Sequence, residues 1–148
     1  MISVQREDFD PGREISALCG QDGQAGAIAT FIGLVRGDGD LDAMTLEHYP
    51  GMTEKQLAAL EQDARDRWPL TDVRIIHRHG RLTPGERIVF VGVTSSHRDA
   101  AFAACEFLMD WLKTKAPFWK QEETSAGSRW VEAKDSDDSR AARWNKQD

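Results

Sequence analysis

Cysteine is scarce in this chain of 148 residues, and its two cysteines, Cys19 and Cys105, have no His or Cys nearby at metal-ligand spacing. Each lies in an apolar pattern typical of a helix, so we expect two reduced thiols in the protein core. A chain of this length buries enough surface to fold as one domain without cross-links. The composition therefore argues against a scaffold that depends on disulfides or structural zinc.

Long hydrophobic runs are also missing, since no apolar stretch approaches the roughly 20 residues that a membrane-spanning helix needs. The opening residues, MISVQREDFD, contain no signal-peptide core. Positive charge is in deficit, because 19 Lys and Arg oppose 25 Asp and Glu for a net charge of −6. A general nucleic-acid binder would carry a basic surface. We therefore expect a cytoplasmic protein that binds neither nucleic acid nor membrane.

Several common catalytic motifs are absent: a Walker loop, a dinucleotide-binding fingerprint, a nucleophile elbow and a zinc ribbon. Three histidines, His48, His77 and His79, raise the question of a metal site. His77 and His79 would lie on one face of a strand, but no third ligand is evident. We therefore predict no metal centre.

The hydrophobic patterning predicts the element order β-α-β-β-α-β-β-α-β-β, which is typical of a single α+β domain with a mostly antiparallel sheet. Residues 25–36, AGAIATFIGLVR, predict a strand that is buried on both faces. The strongest helix pattern spans residues 95–116. We place the domain at residues 1–133 and expect residues 134–148 to form a polar tail that frays.

Lysines are concentrated in DWLKTKAPFWKQE, residues 110–122, which holds three of the six in the chain. Lys113 would lie near the C-terminal end of the long helix, and Pro117 marks a reversal into a strand that carries Lys120. The two side chains could thus converge on one pocket wall, where a lysine can serve as acid/base or nucleophile. The alternative is a solvated cluster at the negative end of the helix dipole, which we favour for Lys115.

Two other segments could bind anions. His97 and Arg98 follow Ser96 where a strand leads into a helix, so free N–H groups and the helix dipole would favour a phosphate or carboxylate. Alternatively, Ser96 caps the helix and both cations are solvated. Arg36 ends the predicted buried strand before a glycine-rich turn, and its planar guanidinium suits phosphate. Alternatively, Arg36 is an ordinary arginine on the protein surface.

Five segments together resemble the large, catalytic subunit of molybdopterin synthase, from Ala25 to Ala133 and in the family's order. They are FIGLVR, LEHYPGMTEKQL, HRHGRLTPGE, VGVTSSHRDAAFAACEFLMDWLKTKAPFWKQE and GSRWVEA. The resemblance implies an α/β-hammerhead fold and a homodimer. It also implies that each large subunit binds a small, ubiquitin-like sulfur carrier, which gives a heterotetramer.

The reaction implied by the resemblance is a double sulfur transfer. The carrier's Gly-Gly tail ends in a thiocarboxylate, which enters a pocket of the large subunit and converts cyclic pyranopterin monophosphate into the dithiolene molybdopterin. No redox cofactor of the large subunit is implied.

The resemblance also assigns site residues. It matches Lys113 to the family's essential lysine and Lys120 to a second active-site lysine. The implied substrate contacts are Leu34, Val35, Arg36, His97, Arg98, Lys113, Lys120, Gln121 and Glu122. Because such pockets take residues from both dimer partners, Arg36 or His97 could act across the interface. The turn GDGDLDA looks shorter than the family's usual turn after this arginine.

Two other functions are compatible with the residues. A small phosphohydrolase of the acylphosphatase type also holds phosphate with an arginine in a glycine-rich turn, and it would need neither a partner nor an essential lysine. A non-catalytic module that recognises the tail of a ubiquitin-like protein would bind the carrier without consuming pterin.

Overall fold

The computed structural model describes residues 1–20, 22–131 and 135–146. The elements in chain order are β1 (Ile2–Gln5), α1 (Pro11–Cys19), β2 (Ala27–Leu34), β3 (Leu41–His48), α2 (Met52–Arg67), β4 (Leu70–Arg78), β5 (Gly80–Leu82), β6 (Arg87–Ser95), α3 (Arg98–Leu112), β7 (Phe118–Thr124), β8 (Gly127–Val131), α4 (Asp135–Ala142) and a final 3-10 helix, Arg143–Lys146. None of the helices in these ranges has the length and apolar character needed to cross a bilayer.

The strands form two four-stranded sheets, in the orders β1-β4-β6-β2 and β5-β3-β7-β8. Among the strands of the described ranges, β1 and β4 pair in parallel and the other pairings are antiparallel. The α+β class and the mostly antiparallel pairing are thus confirmed, although the strands divide between two sheets. The division occurs at Gly80, whose φ of 95° turns the chain after β4 so that β5 pairs with β3.

The core lies between the first sheet and the helices α2 and α3. Helix α2 has an apolar stripe, Leu57, Leu60 and Ala64, that is buried against α3 and the sheet. On the opposite face of the sheet, α1 forms a smaller core in which Phe9 and Leu18 pack with Ile76 and Phe90. The sheet is therefore covered on both faces, and the C-terminal end of α3 is held at one of its margins.

Strand β2 differs from the expectation of burial on both faces. It lies at the edge of the first sheet, and Phe31 and Leu34 keep 39% and 55% of their surface exposed. Phe102 on the adjoining α3 is 65% exposed. The apolar residues of β2 are thus present as the pattern indicates, but within one chain the neighbouring helices leave Phe31 and Leu34 partly uncovered.

Two described residues of the C-terminal segment, Ala141 and Trp144, are buried against the domain, which the expectation of a fraying tail does not account for. Trp144 is 6% exposed and packs edge-on against Trp68 and Phe107. Its Nε1 donates a hydrogen bond of 2.7 Å to Oδ2 of Asp110, which also accepts from Arg143. One large indole anchors a segment of otherwise polar composition. Residues 132–134, 147 and 148, at the domain boundary and the end of the proposed tail, lie outside the described part.

The two thiols have different environments. Cys105 is buried in the α3 core, and burial together with the charge of Glu106 raises its pKa to about 12. Cys19 is the last residue of α1 and is exposed, which corrects the expectation that both cysteines are core residues.

Candidate active site

A cleft of about 580 Å³ opens where the end of β2, the C-terminal end of α3 and strand β7 meet. These elements are far apart in the sequence, and the fold of two sheets brings them together. Six of the residues expected at a site line this cleft: Leu34, Val35, Arg36, Lys113, Lys120 and Glu122.

Lys113 reaches the cleft because α3 ends immediately before it. Its backbone remains helical, with φ −72° and ψ −20°, and its N–H donates to the carbonyl oxygen of Met109 at 3.2 Å. Pro117 has no N–H to continue the helix, and the N–H of Phe118 donates to Ala116 at 2.8 Å as β7 begins. The predicted reversal between the two lysines is therefore observed.

Lys120 and Glu122 both line the cleft because side chains two positions apart on strand β7 lie on the same face of the sheet. In the pairing with β3, Lys120 lies opposite Leu46 and Glu122 opposite Met44, and both of these apolar residues line the cleft. Nζ of Lys120 lies 3.9 Å from Oε1 of Glu122. The other carboxylate oxygen of Glu122 is 3.8 Å from Arg129, so the carboxylate stands between two cations.

Gln121 belongs to the opposite face of β7, because successive side chains alternate across a strand. It pairs with Thr45 on one side and with Trp130 on the other, and it does not line the cleft. Trp119 shares that outer face and is 49% exposed, whereas Phe118 lines the cleft. Of the two aromatic residues beside the lysines, only Phe118 belongs to the cavity.

Arg36 is positioned by its buried neighbour. Val35 is 3% exposed, its N–H donates to Glu86 and its carbonyl oxygen accepts from Gly85, both at 2.8 Å. Arg36 follows and lines the cleft together with Asp38, with which its Nε forms an ion pair. Both partners are more than two-thirds exposed, so water screens this ion pair and an incoming anion can compete for the arginine.

His97 and Arg98 lie at the other end of α3. The helix runs for 15 residues, so about 22 Å separates them from Lys113 along its axis. Both are exposed, and neither lines the cleft. His97 rather than Ser96 is the N-cap, and no side chain caps the helix there. One chain therefore does not bring this pair to the lysines.

His77 is a cleft residue that the sequence pattern flagged only as a possible metal ligand. It is 7% exposed in β4, and its ring stacks on Phe118 with centroids 3.8 Å apart and planes at 18°. Burial lowers the pKa of His77 to about 4, and the charges of Lys113, His48 and His79 add to this, whereas a hydrogen bond to the Arg78 backbone opposes it. The imidazole is therefore neutral at pH 7.

Among the described residues, His48, His77 and His79 are not grouped with further side chains that could ligate a metal. The rings of His48 and His79 lie 4.4 Å apart, and Nδ1 of His48 is 3.1 Å from Oγ1 of Thr53. Across the three described ranges, no group of three or more His, Cys, Asp and Glu side chains is placed to hold a metal ion.

The sequence profile of the MoaE protein family matches residues 4–115. This chain belongs to the MoaE protein family. It is 56% identical to the molybdopterin synthase catalytic subunit of Pseudomonas aeruginosa over 146 residues, with 97% of each chain covered. The protein of the same name from Escherichia coli is also 56% identical over 146 residues, again with 97% coverage of each.

Solved structures of MoaE proteins share the fold. The molybdopterin biosynthesis MoaE protein from Burkholderia ambifaria superposes with a TM-score of 0.85 at 52% identity, covering 98% of this chain and 97% of that one. Molybdopterin synthase from Staphylococcus aureus superposes with a TM-score of 0.81 at 29% identity, covering 88% and 96%. The fold expected from the family resemblance is therefore confirmed.

The buried His77 of this MoaE protein should make its stability depend on pH. The unfolded chain protonates this imidazole near its ordinary pKa of 6.5 but the folded chain only near 4, so the free energy of unfolding should fall between these values as pH drops, by about 3 kcal/mol in total. Urea denaturation from pH 7 to pH 4.5, compared between the protein and His77→Phe, measures this contribution. Parallel pH profiles for the two proteins would contradict it.

Proposed function

We propose that this chain is the catalytic subunit of a molybdopterin synthase. In this role it transfers sulfur from the thiocarboxylated C-terminus of a small ubiquitin-like carrier to cyclic pyranopterin monophosphate, and so forms the molybdopterin dithiolene. The observation that carries the proposal is the shared cleft of Arg36, Lys113 and Lys120, three cations from separate segments. We infer the reaction from membership of the family, and we infer its location from the cleft.

The cations of the cleft would reduce the electrostatic repulsion between the two anionic reactants. A cyclic phosphate and a thiocarboxylate must approach each other, and two unit charges about 4 Å apart repel by about 4 kcal/mol at an effective dielectric near 20. Fixed cations on the cleft wall offset that repulsion and stabilise the negative charge that develops during transfer. We assign Lys113 as acid/base or transient nucleophile at the thiocarboxylate carbonyl, and Lys120 as the group that orients the pterin and its phosphate.

The apolar walls suit the carrier's tail. Met44, Leu46, Leu112 and Phe118 line the cleft between the cations. A glycine-rich peptide presents mostly backbone, so a narrow apolar channel can hold it extended, as in strand-addition recognition. The thiocarboxylate at the end of the tail would then be delivered to Lys113.

A second copy of the chain would complete the site. The exposed apolar residues Phe31 and Phe102 border a groove of about 770 Å³ between β2, α3 and the C-terminal segment. Such a patch is typical of a surface that is covered by a partner. We propose a two-fold homodimer in which His97 and Arg98 of one protomer reach the other's cleft, with one carrier bound to each protomer in a cytoplasmic heterotetramer.

Reconstitution tests the proposal directly. The protein, a thiocarboxylated carrier and cyclic pyranopterin monophosphate are mixed, and mass spectrometry follows the pterin. We expect dithiolene product, with sulfur supplied by the carrier, and none when the carrier ends in an ordinary carboxylate. Binding of the carrier without consumption of pterin would favour a tail-recognition module instead. Hydrolysis of an acyl phosphate without any carrier would favour a phosphohydrolase.

A further inference from the structure

The turn TPGE, residues 83–86, lies against the segment that carries Arg36, and the mechanism proposed above does not use it. The turn connects β5 in the second sheet to β6 in the first. The segment between β2 and β3, which contains Arg36, connects the same two sheets in the opposite direction. Contacts between these two connections therefore affect where the backbone of Arg36 is held.

Glu86 closes the turn from within. Pro84 and Gly85, with a φ of 91° at Gly85, are the residues that the two central positions of a type II turn favour. The N–H of Glu86 donates to the carbonyl oxygen of Thr83 at 3.1 Å. In the reverse direction, Oε2 of Glu86 accepts from the N–H of Thr83 at 2.7 Å and from its Oγ1 at 3.0 Å. The hydrogen bond from this N–H lowers the pKa of Glu86, so the group is a carboxylate at pH 7.

A buried arginine attaches the turn to the first sheet. Arg78 of β4 is 7% exposed, and its Nη1 lies 3.4 Å from Oε1 of Glu86. The same nitrogen donates to the carbonyl oxygen of Arg87 at 2.9 Å, and Nε donates to that of Arg6 at 3.0 Å. A guanidinium is costly to bury unless it is paired and hydrogen-bonded. Arg78 meets that need in part through the carboxylate that closes the turn.

The turn holds Arg36 through both of its neighbours in the chain. The N–H and the carbonyl oxygen of Val35 both form their hydrogen bonds with the turn. On the other side, a methyl group at Gly37 would lie 3.2 Å from Cβ of Pro84, which is closer than an ordinary contact between carbon atoms. The side chain of Arg36 is itself 74% exposed. The anchored backbone therefore limits the positions that its guanidinium can reach.

We propose that the turn 83–86 is a positioning element for Arg36, and that Glu86 is its positioning residue. By closing the turn, Glu86 fixes the backbone on both sides of Arg36 and so directs the guanidinium to the phosphate of the substrate. A cation on an unanchored loop would lose more conformational entropy when it binds an anion. The inference rests on the proposed sulfur transfer, because it assigns the turn to a substrate-binding cation of that reaction.

Glu86→Ala should raise KM for cyclic pyranopterin monophosphate by about 5- to 20-fold and change kcat by less than about threefold, because a phosphate contact present before and during transfer contributes uniform binding. Glu86→Gln keeps an oxygen that can accept from the Thr83 N–H, so its KM should stay within about threefold of the parent. Glu123→Ala is the matched control, since Glu123 also pairs with an arginine, Arg81, but does not line the cleft. It should change KM by less than about twofold.

A double-mutant cycle separates positioning from a general effect on the fold. If Glu86 acts through Arg36, Glu86→Ala should raise KM by less than about twofold further once Arg36→Ala is present. If the turn only stabilises the fold, the two effects on KM should multiply. Multiplying effects, or a KM of Glu86→Ala equal to that of the parent, would overturn the proposal and leave the synthase function intact. Absence of product from the unmodified protein would instead remove the synthase function.

Titration with inorganic phosphate tests the positioning without turnover. The Nε–H resonance of Arg36, assigned by its loss in Arg36→Ala, should shift with phosphate, and Kd should be about three- to tenfold weaker in Glu86→Ala. Gly37→Ala is a second variant, since its added methyl group would press on Pro84 at an exposed site. It should weaken Kd in the same direction. A parent resonance that ignores phosphate, or equal affinities in the parent and both variants, would overturn the proposal independently of turnover.

Discussion

Lys113→Ala is expected to abolish sulfur transfer, with kcat reduced by roughly 10³-fold or more, since positioned acid/base groups and fixed charges each contribute about 10²- to 10³-fold. Lys113 lines the cleft because α3 ends immediately before it. Its side-chain nitrogen is the group that we propose to act at the thiocarboxylate carbonyl. Single-turnover assays with thiocarboxylated carrier measure the loss. Carrier affinity, measured by calorimetry, should change by less than about threefold, because the tail contacts mostly apolar walls.

Two neighbouring variants show whether charge or chemistry is lost. Lys113→Arg keeps the positive charge but cannot give up a proton near neutral pH, so it should remain strongly impaired if Lys113 acts as acid/base. Lys115→Ala is the matched control, because Nζ of Lys115 lies 4.4 Å from the Trp111 ring. It should turn over within about twofold of the parent. Near-normal turnover by Lys113→Ala would refute the assigned role.

The elements that the sequence predicted well are those governed by local rules. The end of α3, the reversal at Pro117 and the alternation of β7 follow from neighbours within a few residues, and together they place Lys113 and Lys120 on one cleft wall. The same alternation explains why Gln121, adjacent to a site lysine, does not line the cavity. A family motif identifies a segment of the chain, but the alternation of side chains along the strand determines which of its residues line the cleft.

The features that the sequence did not predict depend on long-range packing. His77 lies in an apolar strand pattern, but its contact with Phe118 joins residues 41 positions apart, and no local signal predicts such a stack. Trp144 binds Asp110 across 34 positions, so composition alone made its segment look like a free tail. The pattern predicted that Phe31 is buried, but in a single chain its side chain remains partly exposed.

A homodimer that pairs through the exposed surface of β2 would explain two observations together. These are the exposure of that surface and the distance of His97 and Arg98 from the cleft of their own chain. The cations at the start of α3 cannot reach the cleft of their own chain, since about 22 Å separates the ends of a 15-residue helix. In a two-fold dimer, each α3 start can approach the cleft of the other chain. Burial of the apolar surface would then be coupled to completion of the anion site.

Mixed dimers test this arrangement with a large effect. Arg98→Ala should lower turnover by about 10²-fold through loss of a charge-assisted contact to substrate, and Lys113→Ala by more. If Arg98 acts across the interface, a dimer with one chain of each kind has one site with both lesions and one site with neither. Such purified heterodimers should recover about half of the parental activity, and random mixtures about a quarter. If Arg98 instead served its own chain, every site would carry one lesion, and the mixture would stay as inactive as its parents.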